Sequence, residues 1–179
     1  MHYVYEYKSP IGDITMASDG TSLIGLWFNG QKYFASTLSS KYKYKYKLLP
    51  VFKETILWLN IYFNGKEPDF MPRIKLYGTA FRIEIWQILQ QIPYATTLTY
   101  GDIAKKIATK RGIENMSAQA VGGAVGHNPI SIIIPCHRLL GSNGSLTGYA
   151  GGIDKKIALL ELEGIDTNKF IIPKKGTAL

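Results

Sequence analysis

Ile132-Ile133-Ile134-Pro135-Cys136-His137-Arg138 is the stretch on which the reading of this chain turns. The isoleucines predict a short apolar strand over Ser131–Ile134. Pro135 fixes its own φ and keeps Ile134 extended. The one cysteine of the chain follows at once, beside a histidine and an arginine. Cationic neighbours favour a thiolate over a thiol. On the residues alone two readings stand side by side: Cys136 is a reactive nucleophile, or it is a small buried residue that ends a strand. Consecutive strand residues face opposite ways. His137 can therefore serve Cys136 only if the backbone turns there or a water relays the proton.

Around this stretch the second part of the chain reads as helical. Phe81, Ile85, Leu89 and Ile92 share one face of a helix over Thr79–Gln91, which Pro93 ends. Thr99 is placed to N-cap a helix from Tyr100 to Ala108, with Asp102 in its first turn. Thr109–Asn115 is a polar connection, and Ser117 caps a further helix to Val125. Two short helices joined by a polar turn suggest a helix-turn-helix. Asn128-Pro129 breaks the chain. Asp154 caps a last helix, Lys155–Leu162, closed by Gly164.

The first part reads differently. Tyr3–Lys8, Ile14–Ser18 and Ser22–Phe28 are strands separated by turn residues, an antiparallel meander. Lys41 to Lys47 alternates lysine and tyrosine, with two readings: a surface that stacks on and neutralises nucleic acid, or a half-buried edge strand guarded by lysines. Val51, Ile56, Leu59 and Phe63 mark a helix over Pro50–Phe63. Asn64–Arg73, with two prolines, is a linker. The expected organisation is an α/β domain over residues 1–75, a mainly α domain over 76–168 and a loose tail over 169–179.

Composition narrows the class. The chain has 179 residues, 46% apolar and 19% charged, enough to bury a core and too apolar for disorder. No apolar run is long enough to cross a membrane, and the N-terminus lacks the pattern of a signal peptide. One cysteine cannot make an internal disulfide or a cysteine-rich zinc site, and His2, His127 and His137 are too scattered for a metal cluster. No metal and no cofactor is expected, and a reducing cytoplasm is the expected compartment. Twenty-one basic against 13 acidic residues give a net charge of +8, which favours polyanionic partners.

Pro135-Cys136-His137-Arg138, within the longer Asn128–Gly141 segment, resembles the active-site signature of the O6-alkylguanine-DNA alkyltransferase family. Gly144–Gly152, Gly78-Thr79-Ala80-Phe81, Trp86, Ile92-Pro93-Tyr94 and Tyr100–Ala104 are similar to the family as well. Pro10-Ile11-Gly12 and Gly25–Phe34 look like its bacterial branch. The resemblance implies a ribonuclease H-like N-terminal domain and a winged helix-turn-helix-like C-terminal domain. It implies irreversible, single-turnover transfer of an alkyl group from O6-alkylguanine, and less so O4-alkylthymine, in double-stranded DNA to Cys136. His137 would be the base, acting through a water, and Glu163 the carboxylate that orients it. Asn128 would brace the active-site turn, and Tyr100 would donate to the departing guanine. Tyr149 would wall the pocket, Arg138 would lie among the binding residues, and backbone groups of Cys136, Leu139 and Ala150 would read the flipped base. Ala118–Val125 would enter the minor groove of a DNA bound by a monomer. Its small residues Ala120, Gly122 and Gly123 suit close approach to DNA or close helix packing, and spacing does not separate the two. The family places an arginine where this chain has Gln119, which lacks the charge and the planar guanidinium. Weaker binding or slower base extrusion is expected from that change. The competing readings are a lesion-binding module without chemistry, a helix-turn-helix regulator and a cysteine hydrolase. The first lacks a reason to keep Cys136, the second lacks a dimerisation segment, and the adjacent Cys-His pair does not fit the third.

Overall fold

The computed structural model describes residues 1–38 and 43–173. Lys41 and Tyr42 of the repeat, and residues 174–179 of the expected tail, lie outside the described residues. Two compact units form: Met1–Tyr77 with Pro129–Ser131, and Gly78–Asn128 with Ile132–Leu179.

The first unit is a four-stranded sheet with one helix. β1 (His2–Ser9), β2 (Gly12–Ser18) and β3 (Leu23–Phe28) form the expected antiparallel meander. β4 (Tyr44–Tyr46) lies parallel to β1 at the edge, so the order is β3-β2-β1-β4. Tyr44–Tyr46 of the repeat is an edge strand, but not a half-buried one, because every residue of β4 is exposed. β3 is wholly buried, since its outer edge is covered: Leu23 bridges Ile74 and Leu26 bridges Ile130. Residues around Ile74 therefore extend the sheet. Within β3 the Trp27 ring lies over Gly25, and a Cβ there would sit 1.8 Å from it. α1 (Pro50–Phe63) has proline in its first turn, where a missing N–H costs nothing. Its buried stripe is Val51, Phe52, Thr55, Trp58, Leu59 and Tyr62. Ile56 and Phe63 are only half-buried, so the expected face was rotated by about a residue. Phe52 stacks on Tyr5 and Phe63 on Tyr7.

The second unit is helical. α2 (Ala80–Leu89) is capped by the Thr79 side chain and ends before Pro93. α3 (Tyr100–Arg111) starts in a capping box between Thr99 and Asp102 and runs three residues beyond the expected Ala108. Gly112 stops it, at φ +63; the polar character of Thr109–Arg111 belongs to the helix surface. α4 (Ala118–Gly126) is capped by Ser117. The indole of Trp86 on α2 donates to the Ala124 carbonyl of α4 at 3.0 Å, which holds the two helices together. α5 (Ile153–Leu162) starts at Gly152, so Asp154 sits in its first turn rather than capping it. β5 (Leu98–Thr99) and β6 (Leu139–Leu140) pair in parallel, a contact too short to leave a sequence pattern. The start of the expected tail is held, with Ile171 bridging Ser145 and Phe170 packing on Leu140, Leu146 and Leu160. No helix among the described residues is long and apolar enough to cross a membrane.

Candidate active site

The strand expected over Ser131–Ile134 does not form. Those residues make a buried turn, with Ile132 at φ +69, a conformation costly for a β-branched residue. An inverse γ-turn follows: Pro135 sits at φ −80, ψ 62, and the Cys136 amide donates to the Ile134 carbonyl at 2.7 Å. Cys136–Arg138 is one turn of 3₁₀ helix. This winding meets the condition that sequence reasoning set for His137. Neighbours in a tight turn need not point to opposite faces.

Asn128 braces the turn from inside. Its Nδ2 donates to the Ile134 carbonyl at 2.8 Å and to the Cys136 sulfur at 3.1 Å. Cys136 is buried, and burial pushes its thiol up, opposed by the Asn128 amide and by Lys156. Burial thus favours the neutral thiol over the thiolate.

Behind the turn stands a fully buried polar cluster. His137 Nε2 lies 2.7 Å from Glu163 Oε1. A carboxylate only accepts, so Nε2 carries the proton and Nδ1 is the ring nitrogen able to accept one. Burial lowers the His137 pKa, with Arg138 and Lys156 acting the same way and Glu163 opposing, which favours the neutral ring. Burial alone would raise Glu163, but His137 and Arg138 hold its carboxyl down at about 2. Arg138 grips that carboxylate at two points, 2.9 and 3.1 Å, and donates to the Ile92 carbonyl at 2.6 Å. The Ala95 amide is a further donor to Glu163, at 3.1 Å. Glu163 caps the end of α5 and is 4% exposed, where a helix-end glutamate is ordinarily solvated. The Arg138 guanidinium is directed inward onto Glu163 and Ile92.

Two further groups reach this region. Tyr149 is buried edge-on to the His137 ring, and its hydroxyl has no hydrogen-bond partner among the described residues. Lys156 was missed in the sequence, where it reads as one of a Lys-Lys pair on a surface helix. It is fully buried, its ammonium donates to the Thr147 carbonyl at 2.6 Å, and burial lowers its pKa to about 8. The only clue was its place on the apolar side of α5, in step with Leu159, Leu160 and Glu163.

The remaining residues gather elsewhere in the second unit. A cleft of about 350 Å³ is lined by Tyr100, Gln119, Gly122, Thr147 and Gly148, among others. The Tyr100 hydroxyl donates to the Gly148 carbonyl at 2.9 Å, so donation to a substrate requires that bond to open. Cys136 does not line this cleft. On α4, Gln119, Ala120 and Gly123 are exposed, and a Cβ at Gly123 would meet nothing within 4 Å. Smallness at Ala120 and Gly123 is therefore not needed for internal packing, whereas Val121, Ala124 and Val125 pack inward. Leu139 is buried in β6. The Cys136 amide donates to the Ile134 carbonyl, and the Leu139 amide donates to the Cys136 carbonyl. Ala150 is half-buried.

Fold and site together define a helix-turn-helix protein that carries a buried thiol backed by a His-Glu-Arg cluster. Comparison with known proteins sharpens this class. Residues 1–76 match the ribonuclease-like domain of 6-O-methylguanine DNA methyltransferase, and residues 80–165 match the DNA binding domain of the same family. A methylated-DNA–protein-cysteine methyltransferase of Haemophilus influenzae is 43% identical over 92% of this chain and 87% of its own length. One from Methanosarcina acetivorans is 40% identical over 92% and 99%. The crystal structure of Mycobacterium tuberculosis OGT in complex with DNA aligns at a TM-score of 0.77, 39% identical, covering 94% of each chain. The chain belongs to the 6-O-methylguanine DNA methyltransferase family.

Proposed function

We propose that this protein repairs DNA by direct reversal, moving the alkyl group of O6-alkylguanine onto Cys136. The observation that carries the reading is the single cysteine braced by Asn128 on a tight turn, next to a neutral His137 locked to Glu163. As the sulfur attacks, the S–C bond forms and the O6–C bond breaks. The thiol proton passes to His137, through a water, and the departing guanine is protonated in turn. Glu163 and Arg138 set the tautomer and orientation of His137. The thioether formed has no route back to a thiol, so each molecule acts once.

A base inside a duplex must leave the stack to reach a buried sulfur. The exposed, small face of α4 suits close approach to the minor groove, and Gln119 at its start is placed to fill the gap left by the base. Tyr100 and the Gly148 loop then face the extruded nucleotide. O4-alkylthymine fits the same chemistry less well. The reaction needs Cys136 as a free thiol, which suits a reducing cytoplasm, and one thiol per chain lets each chain act as a monomer.

The test is intact mass after mixing with duplex DNA bearing one O6-methylguanine, followed by peptide mapping. One methyl on the Cys136 peptide, stoichiometric and absent in Cys136→Ser, supports the reading. Tight binding with no mass change refutes transfer and points to a lesion sensor.

A further inference from the structure

Glu163 is the C-terminal member of the buried cluster, yet the chain runs on and comes back onto the cleft. Asp166 caps a single 3₁₀ turn, Thr167–Lys169, and the Phe170 amide donates to the Thr167 carbonyl at 3.0 Å. This turn delivers Phe170 and Ile171 to the loop 141–148. Phe170 packs on Leu140, Leu146 and Leu160, with its ring so close to Gly144 that a Cβ there would lie 3.4 Å from it. The Ile171 amide donates to the Gly144 carbonyl at 3.1 Å, and the Leu146 amide donates to the Ile171 carbonyl at 2.8 Å. Ser145, between those two residues, is the bridge partner of Ile171. The Ile171 side chain is 55% exposed, so this residue acts through its backbone.

Ser145 is also the hub of the loop. Its carbonyl accepts from the Gly141 amide at 2.7 Å and from the Thr147 amide at 2.9 Å. Gly141 and Thr147, with their neighbours Ser142 and Gly148, form one wall of the cleft that Tyr100 and Gln119 also line. Asn143 and Gly144 both have positive φ, 58 and 73, so the loop reverses tightly where Ile171 takes hold. At its other end the loop is held by Lys156 on the Thr147 carbonyl and by Tyr100 on the Gly148 carbonyl. The Tyr100 bond has to open when Tyr100 turns to a substrate. The Ile171 pairing lies away from the cleft and does not.

We infer that Phe170 and Ile171 are positioning residues for the cleft: they splint the loop 141–148, through Ser145, so that its wall is formed before an extruded nucleotide enters. The inference rests on the transfer reading given above and extends it to a segment that touches neither Cys136 nor its cluster. A wall formed in advance removes the need to order the loop at the moment of binding, and a loosened wall lowers the fraction of molecules that hold the nucleotide ready.

The test compares the full chain with its Ile171→Pro, Ile171→Ala, Phe170→Ala and Phe170→Leu variants. Proline removes the amide that donates to Gly144; Phe170, at φ −97 and ψ 152, is already extended as the residue before a proline must be. Alanine at 171 keeps the backbone pairing and loses only an exposed side chain. Each protein is mixed with duplex bearing one O6-methylguanine, well below its melting temperature, and the second-order rate of Cys136 methylation is taken per folded molecule. Ile171→Pro is expected to slow transfer about fivefold, the equivalent of one backbone hydrogen bond. Phe170→Ala is expected to slow it too, Phe170→Leu to recover most of that loss, and Ile171→Ala to match wild type. Affinity for undamaged duplex of the same sequence is expected to stay unchanged, since α4 is untouched. Amide hydrogen exchange at Gly141 and Thr147 is expected to quicken in Ile171→Pro. A wild-type rate in folded Ile171→Pro overturns the inference and leaves the segment a stabilising role only. An equal loss of affinity for undamaged duplex also overturns it, by placing the segment in the DNA interface. The exchange readout needs no transfer. If wild type fails to methylate Cys136, the transfer reading falls by itself, and the splint falls with it only if exchange in Ile171→Pro is unchanged.

Discussion

Replacing Glu163 with glutamine tests the cluster on which the chemistry rests. Four donors converge on the two carboxylate oxygens: His137 Nε2, Arg138 Nε, an Arg138 terminal nitrogen and the Ala95 amide. Glutamine offers one acceptor oxygen and turns an NH2 group toward donors that were satisfied. It also leaves the Arg138 guanidinium buried without its counter-charge. Breaking a buried pair by removing one partner costs about 3–5 kcal/mol. A second route to the magnitude agrees: a carboxyl held at about 2 instead of 4.5 represents about 3 kcal/mol of native-state stabilisation. His137 and the Arg138 guanidinium both contribute to it. The folded pKa is depressed, so this stability is present in full above the unfolded value of 4.5 and is lost as pH falls toward 2. Urea denaturation should therefore place Glu163→Gln about 3 kcal/mol below wild type at pH 7. The gap should narrow by about 1 kcal/mol at pH 3.5. Single-turnover transfer, measured where the variant is folded, should slow by at least about tenfold, because the His137 tautomer is no longer enforced. A gap under about 1 kcal/mol at pH 7, or one that does not narrow in acid, would falsify the view that a buried carboxylate organises this site.

Other expectations follow from single residues. Gln119→Arg adds a cation at the exposed start of α4, beside the cleft; duplex binding should tighten and its salt slope steepen by about 0.9, and an unchanged slope would remove Gln119 from the interface. Lys156→Met should slow transfer, because the thiolate loses a buried cation that favours it. In wild type the Lys156 pKa is lowered to about 8, so its burial costs stability below that pH and the cost is relieved as pH rises toward 10.5. The Met variant should lack that gain between pH 8 and 10.5 in denaturation curves. Methylated protein should melt several degrees below the free form, since an added methyl on a buried sulfur costs about 1–3 kcal/mol by overpacking; equal melting temperatures would show that the turn absorbs the group.

The elements with repeating patterns were legible in the sequence. The three strands of the meander, α1, α2 and α4 lie where alternation, helical spacing and capping residues put them, within a residue or two. Thr99 and Ser117 cap as expected because capping is chemistry between near neighbours. Errors came where a local signal had two outcomes. Three isoleucines suited a strand, yet tertiary contacts wound them into a turn with Ile132 in the left-handed region. The polar residues after Ala108 looked like a loop and form the last turn of α3, which only Gly112 ends.

The sequence by itself determined the two-part architecture, the nucleophile candidate and its immediate neighbours. Composition, periodicity and the Pro135–Arg138 motif are properties of contiguous residues. The direction of the long cationic side chains was decided by tertiary structure alone. Arg138 and Lys156 have the same appearance as surface residues until the fold shows one locked on Glu163 and the other buried on the Thr147 carbonyl. Glu163 lies 26 positions from His137, and its helical step with Leu159 and Leu160 does not name that partner. A buried charge is tolerated only when a distant partner compensates it, and that partner is supplied by packing, which no short stretch of sequence encodes.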